Sequence, residues 1–529
     1  MLLEGAIMSK QDIVSEYIKF VTKYKRYPTR VELKEYAEIS RDQVRDAFGN
    51  YENLKKEAFS KGLEDVILDV EQLGHKYAKK TIKNLAGYKR FVITTAVVNS
   101  EVNARYLDSI RTYCKHEDAA LIIIPSLQKG NGAKWTIDPS LKSEHIVFFD
   151  LALNSNIKIL GVANNSKSID PTTGLPRLGK RNGSIICASP KQNLKIVATG
   201  INKLPHALMS TGAITNPEYF TNSPMRAKQD YLAENDHVLG ALIVELDKDG
   251  LFHYRQTQAD SSFGFTDLGH YYHKGKKVPF SPEVLIPGDY HSGNTDPEVE
   301  SALFDMTKKL DIKEWILHDA FDGESVNHHL QNKNIALAKL ARFNKLSLHR
   351  ELQNFCSDLG RIKEHTKRVT IVASNHDQFL DRYLEEARYV DDHENKGLAL
   401  ELALAKYRGM SPLKYYVENY SKVKNVRWLE LDESYKIADI ECGMHGHIGS
   451  NGAKGSPKSM EDAYGSVIYG HTHTPNILRN AWCVGTSTFL QLSYNKGASS
   501  WLNTSAIVYS NGVRQLINKI DGSWTTRKL

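Results

Sequence analysis

The chain has 529 residues, 41% of them hydrophobic and 25% charged, the balance of a folded globular protein whose length favours about three domains over one. No apolar run reaches the ~18–20 residues of a membrane-spanning helix, which excludes that class. The five cysteines are odd in number, scattered and without a C-x-x-C pair, so reduced thiols in a cytoplasmic protein are expected rather than a disulfide scaffold or zinc ribbon, and a net charge of +7 is compatible with a polyanionic partner without demonstrating one.

The N-terminus, "MLLEGAIMSKQD", has a short apolar patch with no charged segment ahead of it, so no signal peptide is expected, and Met8 is an alternative start. Residues 11–60 read as helices. Thr29 with Glu32, and Ser40 with Gln43, fit the capping-box pattern. A helix of about eight residues, a tight turn at "EIS", and a second helix from Arg41 to Phe48 closed by Gly49 give a helix-turn-helix outline. "RYPTRVELKEYAEISRDQVRDAFGNYENLKKEA" also resembles the small helical repeat attached to homing endonucleases and other phage-borne nucleases. That resemblance implies that the second helix enters DNA, with Arg41, Gln43 and Arg45 facing it. The competing reading is a helical hairpin with solvated charges.

Within the expected middle domain, residues 66–280, apolar runs alternate from about residue 85 with helical or loop stretches: "FVITTAVV", "AALIIIPS", "HIVFFDLAL", "IKILGVA", "SIICAS", "LKIVATG" and "VLGALIVEL". Runs rich in β-branched residues suit buried strands, so an α/β or α+β middle domain of unknown role is expected. Two stretches, "PRLGKRNGS" and "HYYHKGKKVP", read as basic loops, either solvated surface or a rim that tracks phosphates. Neither internal repeats nor low-complexity tracts are evident.

From residue 283 onward, strand after strand ends in metal-type ligands. "EVLIPGDYHSGNTDP" presents Asp289 and His291, and "EWILHDAFDG" presents Asp319 and Asp322. "RVTIVASNHDQFLDRYL" presents Asn375, His376 and Asp377. "IADIECGMHGHIGSNG" presents His445 and His447, and "SVIYGHTHTP" presents His471 and His473. Each follows an apolar run, so all five clusters are expected at one edge of a sheet. Imidazole, carboxylate and amide oxygen together suit Mn²⁺, Fe²⁺ or Zn²⁺, and one carboxylate can bridge two ions ~3.5–4 Å apart. Without thiolates a structural zinc site is a poor explanation.

Taken in order, D-x-H, D-x-x-D, N-H-D, H-G-H and G-H-x-H resemble the calcineurin-like metallophosphoesterase superfamily over roughly residues 280–510. The resemblance implies a β-sandwich flanked by helices in residues 281–529, behind the middle domain and a helical head of residues 1–65. It implies that Asp289, His291, Asp319 and His473 hold one divalent ion. Asp319 would bridge to a second, completed by Asn375, His445 and His471. The ions would be Mn²⁺ above all, with Mg²⁺, Fe²⁺ or Zn²⁺ as alternatives. His376 would protonate the leaving oxygen, oriented by Asp322, while water activated between the ions attacks phosphorus. His318 and Ser374 replace glycines usual in this superfamily. Asp296, Asp377 and His447 are supporting residues by default, although His447 could exchange roles with His445.

The head, the basic balance and the large middle segment lean toward nucleic acid and the nuclease branch of the superfamily. The overall layout is similar to the early host-DNA-degrading proteins of large tailed bacteriophages, which implies host cytoplasm and DNA as substrate. A homo-oligomer is expected, with the middle domain available to a protein partner. The alternatives are a metal-dependent phosphomonoesterase acting on a small molecule or protein, and a non-catalytic DNA-binding regulator.

Overall fold

In the computed structural model the chain is a mixed α/β protein, described over residues 8–24, 26–63, 68–69, 81–127, 136–161, 164–200, 203–219, 227–492 and 495–529. Residues 1–7, where no signal peptide is expected, and the expected boundary at 65/66 lie outside the described residues. No helix among the described residues is long and apolar enough to cross a membrane.

The head consists of helices Lys10–Tyr24, Arg30–Ala37, Arg41–Phe48 and Tyr51–Ser60. Both capping boxes form: Thr29 and Ser40 accept from the amides of Glu32 and Gln43, whose side chains reach back to the cap amides. Glu38, at φ 57°, and Gly49, at φ 75°, end the second and third helices with positive-φ residues. Ile13, Tyr17, Leu33, Val44 and Leu54 close a separate small core.

All seven apolar runs of the middle segment contain strands. A five-stranded sheet runs in the order Phe252–Gln258, Gly240–Leu246, Arg90–Val97, Ala120–Ser126, His145–Ile146. The two basic stretches are not loops. "PRLGKRN" starts with Pro at the first turn and folds as helix Pro176–Asn182. "HYYHKGKKVP" is a hairpin, with His270–His273 paired to Lys276–Pro279 around Lys274 and Gly275, both at positive φ as a tight hairpin turn demands.

Residues beyond 280 build a six-stranded sheet. Val426–Leu429, Arg368–Val372, Glu314–Leu317 and Val284–Ile286 lie parallel, followed by antiparallel Thr504–Val508 and Arg514–Asn518. Parallel neighbours need crossover helices. Pro297–Leu310 is one, started by Asp296, whose side chain accepts from the Glu298 amide, and Leu348–His365 is another.

The remaining large sheet has ten strands. It joins Lys436–Ile437, Ile440–Glu441, Val467–Tyr469, Ala481–Cys483 and Asn476–Leu478 to Asn193–Val197, His206–Ser210, Ser184–Cys187, Ile157–Ile159 and Leu151–Ala152. The seam is the antiparallel pairing of Ile477 with Leu194 and Leu478 with Asn193. Packing therefore crosses the boundary drawn at residue 280. One core gathers Ile286, Ile316 and Val372 with Ile468, Trp482 and Val484, and with Ile186, Met209 and Leu242.

Candidate metal centre

Three of the five clusters sit just beyond parallel strands Val284–Ile286, Glu314–Leu317 and Arg368–Val372; the other two follow Ile440–Glu441 and Val467–Tyr469 in the second sheet. The expectation of a single sheet edge is thus corrected: the clusters meet where the ends of two sheets face each other across their shared core. Loop-to-loop hydrogen bonds lock the first two together, from the amides of Tyr290, His291 and Ser292 to the carbonyls of His318, Asp319 and Ala320, at 3.0, 2.7 and 3.1 Å. The Gly470 amide bonds to the His445 carbonyl at 2.9 Å and joins the other two.

Four of the seven expected ligands adopt left-handed backbone conformations unusual for their residue types: His291 (φ 49°), Asp319 (φ 42°), His471 (φ 75°) and His473 (φ 56°). Such conformations cost on the order of 1–3 kcal/mol each and persist where the surroundings over-determine them. Gly470 answers a different constraint. A Cβ there would lie 2.0 Å from Oδ1 of Asp289, so only glycine lets this strand end approach the carboxylate.

Asp289, His291, Asp319 and His473 each present a ligand atom within 4.8 Å of the others, and all four are buried. His291 Nε2 lies 3.0 Å from His473 Nε2 and 3.6 Å from Asp319 Oδ2, while His473 Nε2 is 3.3 Å from Asp289 Oδ2. Neither carboxylate oxygen of Asp289 has a hydrogen-bond partner, and neither does Asp319 Oδ1. Buried carboxylate oxygens without hydrogen-bond donors, gathered among imidazole nitrogens, are what a cation would satisfy. The cluster could hold a metal ion. Beside it, His445 Nε2 is 3.1 Å from Asp319 Oδ2 and 3.0 Å from Asn375 Oδ1, which in turn lies 3.0 Å from His471 Nδ1. All seven expected ligands are therefore brought together, with Asp319 between the two groups.

The charges follow from burial. Desolvation and the neighbouring Asp319 push the Asp289 carboxyl well above the usual range. Burial pushes Asp319 the same way, but the imidazoles of His445, His376 and His291 hold it well below. Burial, with His291 and His445 respectively adding to it, lowers His473 far below its ordinary value and His471 to about 4. Neutral imidazoles are the form that binds metal.

The expected pairing of the Asp322 carboxylate with His376 takes another form. Oδ1 of Asp322 is 2.9 Å from His291 Nδ1 but 3.8 Å from His376 Nδ1; the ring nitrogen of His376 is held instead by the main-chain carbonyl of Asp322, at 2.6 Å. The carboxylate is committed between His291 and the side-chain amide of Asn294, 3.0 Å away. His376 is charged more readily than a free histidine: burial opposes the charge, but Asp319, Asp322 and the Asp322 carbonyl outweigh it.

His445, not His447, is the converging residue of its pair, since His447 Nε2 meets Gln378 Nε2 at 3.2 Å. His318 is fully buried, its ring stacked on His445 with centroids 5.7 Å apart, and burial lowers it to about 3. Ser374 and Asp377 exchange hydrogen bonds at the start of helix Asp377–Glu385. Neither His318 nor Ser374 has a positive φ, so backbone conformation does not demand glycine at either position.

The sequence reading missed Asn294, legible only as a polar residue three beyond His291, and Trp501, whose ring meets His473 at 4.2 Å and carried no signal at all. In the head, Arg41 and Arg45 are exposed, Arg45 pairs with Asp42 and Asp46, and the Gln43 side-chain oxygen is engaged in the cap.

No family model matches the chain, and no solved structure matches it. Protein A1 of Escherichia phage T5 is 31% identical over 475 residues, covering 82% of this chain and 83% of the phage protein. The chain belongs to the protein A1 family. The alignment spans most of both proteins, so the kinship is one of whole-chain architecture rather than of a single shared module.

Proposed function

We propose that the chain is a two-metal phosphodiesterase acting on DNA, built on a calcineurin-like metallophosphoesterase scaffold. The observation that carries this reading is the convergence of seven oxygen and nitrogen donors from five separate segments around Asp319. Asp289, His291, Asp319 and His473 would hold one divalent ion, and Asp319, Asn375, His445 and His471 a second. The mixed donors suit Mn²⁺, with Mg²⁺, Fe²⁺ and Zn²⁺ as alternatives. Such a pair, when bound, polarises phosphoryl oxygens and lowers the pKa of water.

The chain's own residues do the rest. The Asp322 carboxylate accepts from Nδ1–H of His291 and so turns Nε2 toward the cluster. His376, held by the Asp322 carbonyl and with its charged form favoured by Asp319 and Asp322, donates a proton to the departing oxygen, a contribution of ~10²–10⁴-fold. Trp501 packs its ring in a T-shaped contact against that of His473.

DNA as substrate is supported by the positive net charge, the head with Arg41 and Arg45 on its exposed surface, and membership of a bacteriophage protein family. These favour a phage-encoded nuclease that degrades host DNA in the host cytoplasm; a homo-oligomer with residues 66–280 available to a protein partner completes the proposal. The test incubates purified protein with linear and circular DNA in Mn²⁺, Mg²⁺ or chelator, beside a chromogenic phosphomonoester. Manganese-dependent loss of DNA, abolished in His376→Ala, is the expected result. Monoester turnover with DNA untouched would assign a phosphomonoesterase instead.

A further inference from the structure

A cavity of about 180 Å³ opens beside the metal centre, with Asp322 in its wall. One imidazole, that of His291, separates this carboxylate from the converging donors. The opposite wall comes from the turn Phe343–Lys345 and from Arg350 and Asn354, four residues apart on one face of helix Leu348–His365.

The carboxylates here are already engaged. Asp322 holds His291 and Asn294, and Glu324 pairs with Lys345 at 2.8 Å. Glu351 accepts from the amides of Glu324 and Ser325, at 2.7 and 3.1 Å, and from the Ser325 hydroxyl. The side chains of Asn344, Arg350 and Asn354 engage no partner among the described residues. Phe343, at the rim, is 69% exposed although it is a large apolar ring.

An anion fits poorly against three carboxylates. A nucleobase fits well: two free amides offer both donors and acceptors to a base edge, a guanidinium adds donors in a plane, and an exposed ring offers a stacking face. We propose that this cavity receives the base of a nucleotide flanking the scissile phosphodiester. The enzyme would then select nucleic acid by a base as well as by its phosphates. The inference takes its substrate from the phosphodiesterase reading above.

The test uses the full chain in chelator, so that nothing turns over, and measures binding of octathymidylate and of an all-abasic octamer with the same phosphates by calorimetry. The expected result is about ten-fold tighter binding of the base-bearing octamer. Phe343→Ala and Asn354→Ala, both at the surface, should each erase most of that preference and leave abasic binding unchanged. Equal affinity for the two octamers, no binding of either, or variants that weaken both alike would overturn the proposal. Failure of the phosphodiesterase reading shows separately, as absence of metal-dependent cleavage while the base preference persists.

Discussion

Replacing Asp289 by asparagine should have opposite effects on the metal-free and metal-loaded protein. The side chain is fully buried, and neither oxygen finds a donor. A buried charge left without compensation costs about 3–5 kcal/mol. Burial and Asp319 raise the folded-state pKa of this carboxyl. Its contribution to stability is therefore greatest in acid and is lost as pH rises through that raised value. In chelator, Asp289→Asn should unfold at a higher temperature than wild type, with a gap that widens as pH rises above the ordinary carboxylate range. In manganese the order should reverse. Binding at a hundred-thousand-fold excess over Kd stabilises wild type by about 7 kcal/mol, more than the buried charge costs, and the variant forfeits most of this. Thermal unfolding in chelator and across a Mn²⁺ titration reads both arms. An equal manganese-induced rise in both proteins would refute the placement of Asp289 in the ligand set.

Gly470→Ala should mimic that loss without replacing a ligand, because its Cβ would fall 2.0 Å from Asp289 Oδ1; calorimetric titration should show manganese binding weakened at least as much as in Asp289→Asn. Asp322→Ala should lower manganese affinity about 10–100-fold, because the carboxylate orients His291. Unchanged affinity with reduced turnover would instead mean that the carboxylate acts on His376. Away from the centre, burial pushes His237 down to about 4, while both its nitrogens are engaged, by Tyr219 and the Thr215 carbonyl. The unfolded chain binds this proton more readily, so stability should fall between pH 6.5 and 4 by up to about 3 kcal/mol. The loss should be shallower in His237→Gln, as read by unfolding midpoints over that range.

The metal-type residues were legible because their chemistry is local. A β-branched run, a turn, and then an Asp or His pair make a strand end that carries ligands, whatever lies elsewhere in the chain. The head was legible for the same reason, since a capping box is complete within four residues, as Ser40 and Gln43 show. Two basic stretches were misread as loops: composition reported their charge, while Pro176 and the Lys274–Gly275 turn decided their shape.

By itself, then, the amino-acid order determined which side chains could bind metal, where strands and caps begin, and that no apolar run spans a membrane. Only the tertiary structure decided that two sheets rather than one supply the ligands, that the Asp322 carboxylate serves His291, and that Leu194 pairs with Ile477 to carry the middle segment into the sheet behind the centre. Periodicity and capping act over a few residues and leave their mark in the sequence. Which faces bury one another is settled by packing between segments far apart in the chain, and no local pattern records it.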